Sequence, residues 1–395
     1  MSMSIKRLLK TKKCKRFINH LKAITDSRVQ IKVKHQQHSI LFIIILAMLS
    51  GCNKFNQYYY FGLKHFSQLK KYVDLKNGIP SHDTMERAMH RINSDELNDV
   101  ICSYAIDFID DKNIHVCIDG KFARATKENK ENNDAIDIIT AFIGNIKINL
   151  YSMQTRTSEN DKVEIPVIKK LIDKLYQKYK NKHFIFTIDA IAAINPILSL
   201  IVSYSWDYVI CIKSHSSKGN GFYDYIVDEF KLKENMQSKT TIDKRNGRLE
   251  KRNYYIITDI SNLIDKENWP SVKAIGKCTS IVEDKKTKKV TTESRYYLLS
   301  KQFTIHEFEL YKRSHWQIEA FHNVLDNSFN EDRMRMKKGS STLNTNLLRK
   351  FVWNIISLSI SNKAHVSYTG FRDSHRLSSP TKLLYTILNA LKSTN

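Results

Sequence analysis

The sequence predicts an α/β protein: a mixed sheet with flanking helices, a helical N-terminal domain and a mostly β insertion. Three observations predict it. Helical patterning with capping signals occupies residues 17–110. From residue 114 apolar residues alternate with period two, and strand and helix signals then succeed one another to residue 212. Strand-like runs separated by charged turns fill residues 213–303, after which helical periodicity returns.

Taken in order, the first strong element is the apolar run 40–49. It is about half the length a bilayer span needs. It follows mostly polar chain, so it does not read as a signal-peptide core. It reads as a buried helix that ends at the turn-prone Gly51-Cys52-Asn53. Farther on, Ser81 is placed to cap a helix through Met85, Ala88 and Met89, with Asp83 in its first turn. Ile114, Val116 and Ile118 alternate with His115, Cys117 and Asp119, which is a first strand ending at the aspartate. Residues 136–142 and 147–154 are a second and third strand, joined at Gly144-Asn145. Residues 164–180 form an amphipathic helix carrying Val167, Leu171 and Leu175. Residues 183–189 return to strand and end at Asp189. A short helix over 196–204 and a strand over 208–212 follow.

The order β-β-β-α-β-α-β is that of a ribonuclease-H-like core. Shorter strand signals at 254–257, 271–275 and 295–299 make the insertion. Helices are expected from Thr304 and over 343–359, and the last 30 residues carry little signal. The expected domains are therefore 1–110, basic and helical; 111–212, the first part of the core; 213–303, the insertion; 304–365, the remaining core helices; and 366–395, a C-terminal tail.

Charge narrows the function. The chain has 64 lysines and arginines against 40 acids, a net +24 over 395 residues. Such an excess predicts a polyanionic partner, most simply nucleic acid, rather than a membrane. In the first 39 residues eleven cations face only Asp26, which fits a basic arm on DNA. Six scattered cysteines form no C-x-x-C pair, so neither a zinc ribbon nor a disulfide framework is indicated, and the reducing cytoplasm is expected.

The segment 313–332 carries the candidate chemistry. On a helix it draws His315, Glu319, His322 and Asp326 into one polar stripe beside the apolar Ile318, Phe321, Leu325 and Phe329. In a ribonuclease-H-like sheet the first and fourth strands are parallel neighbours. Asp119 and Asp189 would then lie side by side, and the later helix could bring Glu319 to them. Three converging carboxylates are costly without cations. Two Mg²⁺ ions about 3.5–4 Å apart would neutralise them and build a phosphoryl-transfer site; Mn²⁺ also suits such hard oxygen ligands. A strand-end aspartate alone is more often a turn former, and it is the agreement of topology, spacing and charge that singles these out. A zinc site of His315, Glu319 and His322 is the weaker alternative, because the i, i+4 histidine pair of the helical zinc motif is missing.

The ordered set of motifs resembles the DDE transposases of bacterial insertion sequences, the group that includes the H-repeat-associated proteins. It comprises Gly78-Ile79-Pro80-Ser81-His82-Asp83-Thr84, Ile118-Asp119-Gly120-Lys121, Thr187-Ile188-Asp189-Ala190, Gly247-Arg248-Leu249-Glu250, Arg295-Tyr296-Tyr297-Leu298 and Arg313-x-His315-Trp316-x-Ile318-Glu319. His322, Leu325-Asp326, Phe329 and Glu331-Asp332 follow. The resemblance implies a metal-binding, catalytic triad of Asp119, Asp189 and Glu319 that cuts and joins DNA. It implies terminal inverted repeats and target DNA as partners, a homodimer in the DNA complex, and a nucleoid-associated place in a bacterial cytoplasm. Lys121, Arg124, Arg313, His315, Trp316, His322, Asp326, Arg333 and Arg335 would serve DNA binding or transition-state support, with Lys337 and Lys338 beside the last two. The chain departs from the group at Ala320, Asn323, Ile191-Ala192-Ala193-Ile194 and Phe122-Ala123-Arg124-Ala125. These departures carry the alternative reading, a degenerate, transposase-derived DNA-binding protein.

Overall fold

The structure is a computed structural model and describes residues 10–105, 113–123, 136–155, 164–214, 221–234, 236–245, 247–331, 340–361 and 366–391. Its N-terminal helices are α1 (Lys12–Ala23), α2 (Gln37–Leu49), α3 (Phe55–Lys64), α4 (His82–Arg91) and α5 (Ser94–Ala105). Then come β1 (Asn113–Ala123), β2 (Ile136–Ile143), β3 (Ile148–Gln154), α6 (Glu164–Lys178), β4 (His183–Ile188), α7 (Asn195–Ser203) and β5 (Asp207–Ile212). After these follow α8 (Phe222–Leu232), β6 (Gln237–Arg245), β7 (Arg248–Ile257), β8 (Ala274–Asp284) and β9 (Val290–Leu299). The chain ends with α9 (Ile305–Ser328), α10 (Ser340–Ile360), α11 (Tyr368–His375) and α12 (Pro380–Ala390). Two compact units result: Met1–Asp110 with Gly120–Val163 and Ala320–Asn395, and Asp111–Asp119 with Glu164–Glu319.

The first unit is built around two helices that are apolar or buried on almost every side. In α2 every residue from Ser39 to Leu49 is buried, as the apolar run predicts, and no described helix is long and apolar enough to cross a membrane. In α10 burial runs from Ser341 to Ser357. Phe17 of α1, Tyr104 of α5 and Phe351 of α10 pack ring against ring within 6.4 Å. Some cations of the basic N-terminal segment serve this packing: Lys13 donates to Leu388 O at 3.1 Å and Arg16 to Ser103 O at 3.1 Å. Ser81 caps α4 as expected, accepting from Thr84 N. Strands β2 and β3 pair antiparallel from Ile138↔Gln154 to Ile143↔Ile148. Two buried asparagines act on β3 as a further strand would, which satisfies backbone groups that an open edge leaves exposed. Asn98 exchanges hydrogen bonds with Ser152 at 2.9 and 3.2 Å, and Asn354 with Asn149 at 2.9 and 2.8 Å. The last residues are two helices and not a patternless tail. Ser379 caps α12, Pro380 opens it, and Leu383, Leu384 and Ile387 are fully buried.

The second unit is a mixed sheet in the order β1-β4-β5-β9-β8-β7-β6. Strands β1, β4 and β5 run parallel, with rows from Asn113↔His183 to Ile118↔Ile188 between the first two. Phe184, Ile185 and Phe186 are all fully buried, as a parallel strand covered on both faces requires. Helices α6 and α7 flank it with Leu171, Ile172, Ile197 and Ile201 turned inward. The segment read as an insertion continues this sheet, because β9 pairs antiparallel with β5 from Val209↔Leu299 to Ile212↔Tyr296. It also holds a helix that the β reading missed: α8 buries Phe222, Ile226 and Phe230, spaced i, i+4, i+8. Helix α9 begins with a reciprocal cap, Thr304 N to Glu307 Oε2 at 2.8 Å and Glu307 N to Thr304 Oγ1 at 3.2 Å. Its first turns lie against β7–β9, where Phe308 sits over Gly276; a Cβ there would come within 2.7 Å of the Phe308 ring.

One boundary is corrected. The first strand does not end at Asp119 but runs on to Ala123, although its pairing with β4 stops at Ile118↔Ile188.

Candidate active site

The parallel register sets the site. Each β1 residue from 113 to 118 lies opposite the β4 residue 70 positions later, so Asp119 and Asp189 follow the last paired row, Asp119 still inside β1 and Asp189 just past the carboxyl end of β4. Such strand ends are where open α/β sheets keep their ligands. Both aspartates line a cavity of about 650 Å³ together with Glu319, His315 and Trp316 of α9. Its cationic lining residues are Lys213, Arg295 and Lys312. The Asp189 side chain is 58% exposed and pairs with Lys213 at 3.4 Å. Glu319 is exposed too, whereas Ile318, Phe321, Leu325 and Phe329 beside it are buried, as the helix stripe predicts.

A hydroxyl joins α9 to the strands. Thr187, two residues before Asp189, lies 3.0 Å from His315 Nδ1 and 2.8 Å from His115 Nε2. Cys117 Sγ donates to Ser314 O at 3.6 Å in the same layer. Burial and the neighbouring His315 press the His115 pKa down to about 3. Burial also lowers that of His315, against the pull of Asp119 and Asp189. Both rings are therefore neutral near pH 7. The Cys117 thiol is pushed up to about 12 by burial, so it is no nucleophile.

The remaining candidates scatter. Arg313 lines a second cavity, of about 540 Å³, with Arg248, Arg252, Arg295, Lys312 and Trp316, and it is paired to Asp243 at 2.9 Å and Glu309 at 3.3 Å. Trp316 is 52% exposed and lines both cavities. Lys121, His322 and Asp326 line neither cavity. Lys121 instead pairs with Asp326 and, at 2.6 Å, with Glu331, and His322 is buried. Arg124, Arg333, Arg335, Lys337 and Lys338 lie outside the described residues. Sequence reasoning missed Lys213, Lys312 and Thr187, whose only local mark is their nearness to Ile212, Arg313 and Asp189.

Asp119, Asp189, Glu293 and Glu319 line the first cavity, and their carboxylate oxygens suit a hard divalent cation. Among the described residues, no three His, Cys, Asp or Glu side chains stand close enough to form a ready-made metal site.

Residues 108–355 match a family model described as Transposase DDE domain, and residues 18–105 match one described as DDE_Tnp_1-associated. The chain is 29% identical over 354 residues to a putative transposase, YncI, of Escherichia coli O157:H7, covering 86% of each chain. It is 29% identical over 356 residues to the H repeat-associated putative transposase YhhI of Escherichia coli K12, covering 87% of this chain and 90% of that one. A cryo-electron-microscopy structure of the piggyBac transposase synaptic complex with hairpin DNA is 9% identical at a TM-score of 0.42, over 98% of this chain and 84% of that one.

Proposed function

The chain belongs to the Transposase DDE domain family, and on that premise we propose that it cuts and joins DNA ends with Asp119, Asp189 and Glu319 as its carboxylate triad. One observation carries the reading: these three residues, 200 positions apart in sequence at the extremes, line a single cavity where the pairing of two parallel strands ends. Strands β1–β5 with α6 and α7 follow the element order of a ribonuclease-H-like core, with 213–303 as its insertion, 304–365 as its closing helices and the helical residues 1–110 as a DNA-binding region.

The triad would hold Mg²⁺ or Mn²⁺, which when bound would offset the repulsion of the carboxylates and polarise the attacking and leaving oxygens of a phosphodiester. The chain's own groups do the rest. Lys213, Arg295 and Lys312 supply positive charge for the phosphates around the scissile bond. The exposed Trp316 offers a stacking face for a base beside that bond. Neutral His315, bonded to Thr187, holds Glu319 over the strand ends and does not itself carry charge to a phosphate. The substrates are the terminal inverted repeats of the element and target DNA, and joining two ends calls for a homodimer on the DNA.

A second reading, a DNA-binding relic without cleavage, is favoured by Ala320 beside the glutamate. Strand transfer with Mg²⁺ or Mn²⁺ on DNA bearing the terminal repeats separates the two. The expected result is joining by the wild type and a loss of at least about a thousandfold in Asp119→Ala and Glu319→Gln. Equal activity in either variant overturns the mechanism. Tight, salt-sensitive binding without cleavage establishes the relic.

A further inference from the structure

Both segments that carry outer members of the triad run unbroken beyond the cavity. Strand β1 continues from Asp119 to Ala123, and helix α9 continues from Glu319 to Ser328. Their continuations meet again within the first unit. Lys121, two residues past Asp119, donates to Asp326, seven residues past Glu319, and to Glu331 Oε2 at 2.6 Å. We infer that Lys121, Asp326 and Glu331 form a positioning latch that sets the spacing of the segments bearing Asp119 and Glu319, and that Lys121 does not bind DNA. The inference rests on the triad reading above.

Two strand residues span about 6.6 Å and seven helix residues about 10.5 Å, so Asp326 lies two turns along α9 on the same face as Glu319. Pinning strand to helix there fixes the angle at which α9 leaves the carboxyl end of β1. The cavity carboxylates cannot fix it themselves, because Asp189 and Glu319 are exposed. A displacement of 1 Å in a reacting group costs about a hundredfold in rate.

The charge of Lys121 is already spent within the fold. The Lys121 side chain is 14% exposed and Glu331 4%. A phosphate would have to displace Asp326 to reach this ammonium and would still meet the buried Glu331 beside it.

Burial works against the charged form of Glu331, yet Lys121, Arg349 and Lys350 together keep its pKa below the ordinary value. Arg349 and Lys350 belong to the buried face of α10, and Lys350 Nζ is held by Thr140 Oγ1 at 2.6 Å and Ser152 Oγ at 2.9 Å. The latch therefore closes against α10, β2 and β3, the most buried part of its unit.

The test uses the full-length protein without metal and then with Mg²⁺ and DNA. Lys121→Met is expected to raise amide hydrogen exchange about tenfold over residues 117–123 and 315–328. It is expected to lower kcat for strand transfer about a hundredfold, with DNA affinity and its salt dependence unchanged. Pairing it with Glu331→Gln, which removes the stranded charge, should recover about tenfold, and Lys121→Arg should stay near wild type. Unchanged exchange overturns the latch. So does weaker DNA binding with a salt slope smaller by about one, which would make Lys121 a phosphate contact. If Lys121→Met does not fold, Asp326→Asn keeps the Lys121–Glu331 pair and carries the same test with a smaller effect. A wild type that joins no DNA would defeat the proposed function, while the exchange data would still judge the latch.

Discussion

In the cavity Lys213 meets Asp189 across 3.4 Å, with both side chains more than half exposed; around Lys121 the same lysine–carboxylate chemistry closes to 2.6 Å, with Glu331 almost wholly buried. An exposed pair of the first kind contributes about 0–1 kcal/mol. Losing one partner of a buried pair costs about 3–5 kcal/mol, because the other charge is left stranded. The difference teaches how one protein can hold acids for two purposes. Where the pairs are loose, carboxylates can be recruited by a ligand. Where they are tight, charge has become part of the fold.

The comparison predicts how each region breaks. The largest effect is expected from Asp189→Asn: strand transfer falls at least about a thousandfold, yet the melting temperature hardly moves, as a thermal scan would show. Glu331→Ala inverts this pattern, costing about 3 kcal/mol of stability in a denaturant titration. Gly276→Ala, which drives a methyl group into the Phe308 ring, should cost about 1–3 kcal/mol by overpacking. Trp316→Ala, on the exposed side, should change stability by less than about 0.5 kcal/mol but weaken binding to single-stranded ends by about 1–3 kcal/mol.

The pH dependence sharpens the closed side. Burial lowers the Lys350 pKa from the ordinary 10.5 to about 7, with Glu331 and Asp137 pulling it up and Lys121 pushing it farther down. An unfolded chain regains the ordinary value. Between about pH 7 and pH 10.5 the unfolded state therefore holds a proton that the folded state has lost, and the Lys350 contribution to stability rises with pH. Below about 7 both states are protonated and this contribution no longer changes. In Lys350→Met the rise should be absent from unfolding curves measured at pH 7.5 and 9.5.

Much of the fold could be read from local pattern. Ser81 caps its helix, the alternation at 114–118 is a strand, and the apolar run 40–49 is buried on all sides. The misses share a cause. The first half of β9 is exposed and that of β7 only partly buried, so their length comes from pairing with neighbours and not from an apolar alternation. Helix α8 had a legible stripe in Phe222, Ile226 and Phe230, but the strand-like runs around it outweighed that stripe. At the site, the three carboxylates were legible because strand ends and helix spacing are local features. Thr187 between two histidines and the partners of Lys121 were not, because those bonds span 72 to 210 positions.

By itself, then, the sequence determined many of the elements and the stripe on α9, and it singled out the three acids that line one cavity, because caps, periodicity and motif spacing act over a few residues. Only the tertiary structure decided what each charge is for. It gathered Asp119, Asp189 and Glu319 around one cavity, and it paired Lys121 and Asp326, which read as ligand-binding groups, with one another. The physical reason is burial. The same lysine and carboxylate are available to a ligand in water and committed to each other in the interior, and burial is set by which distant segments pack together.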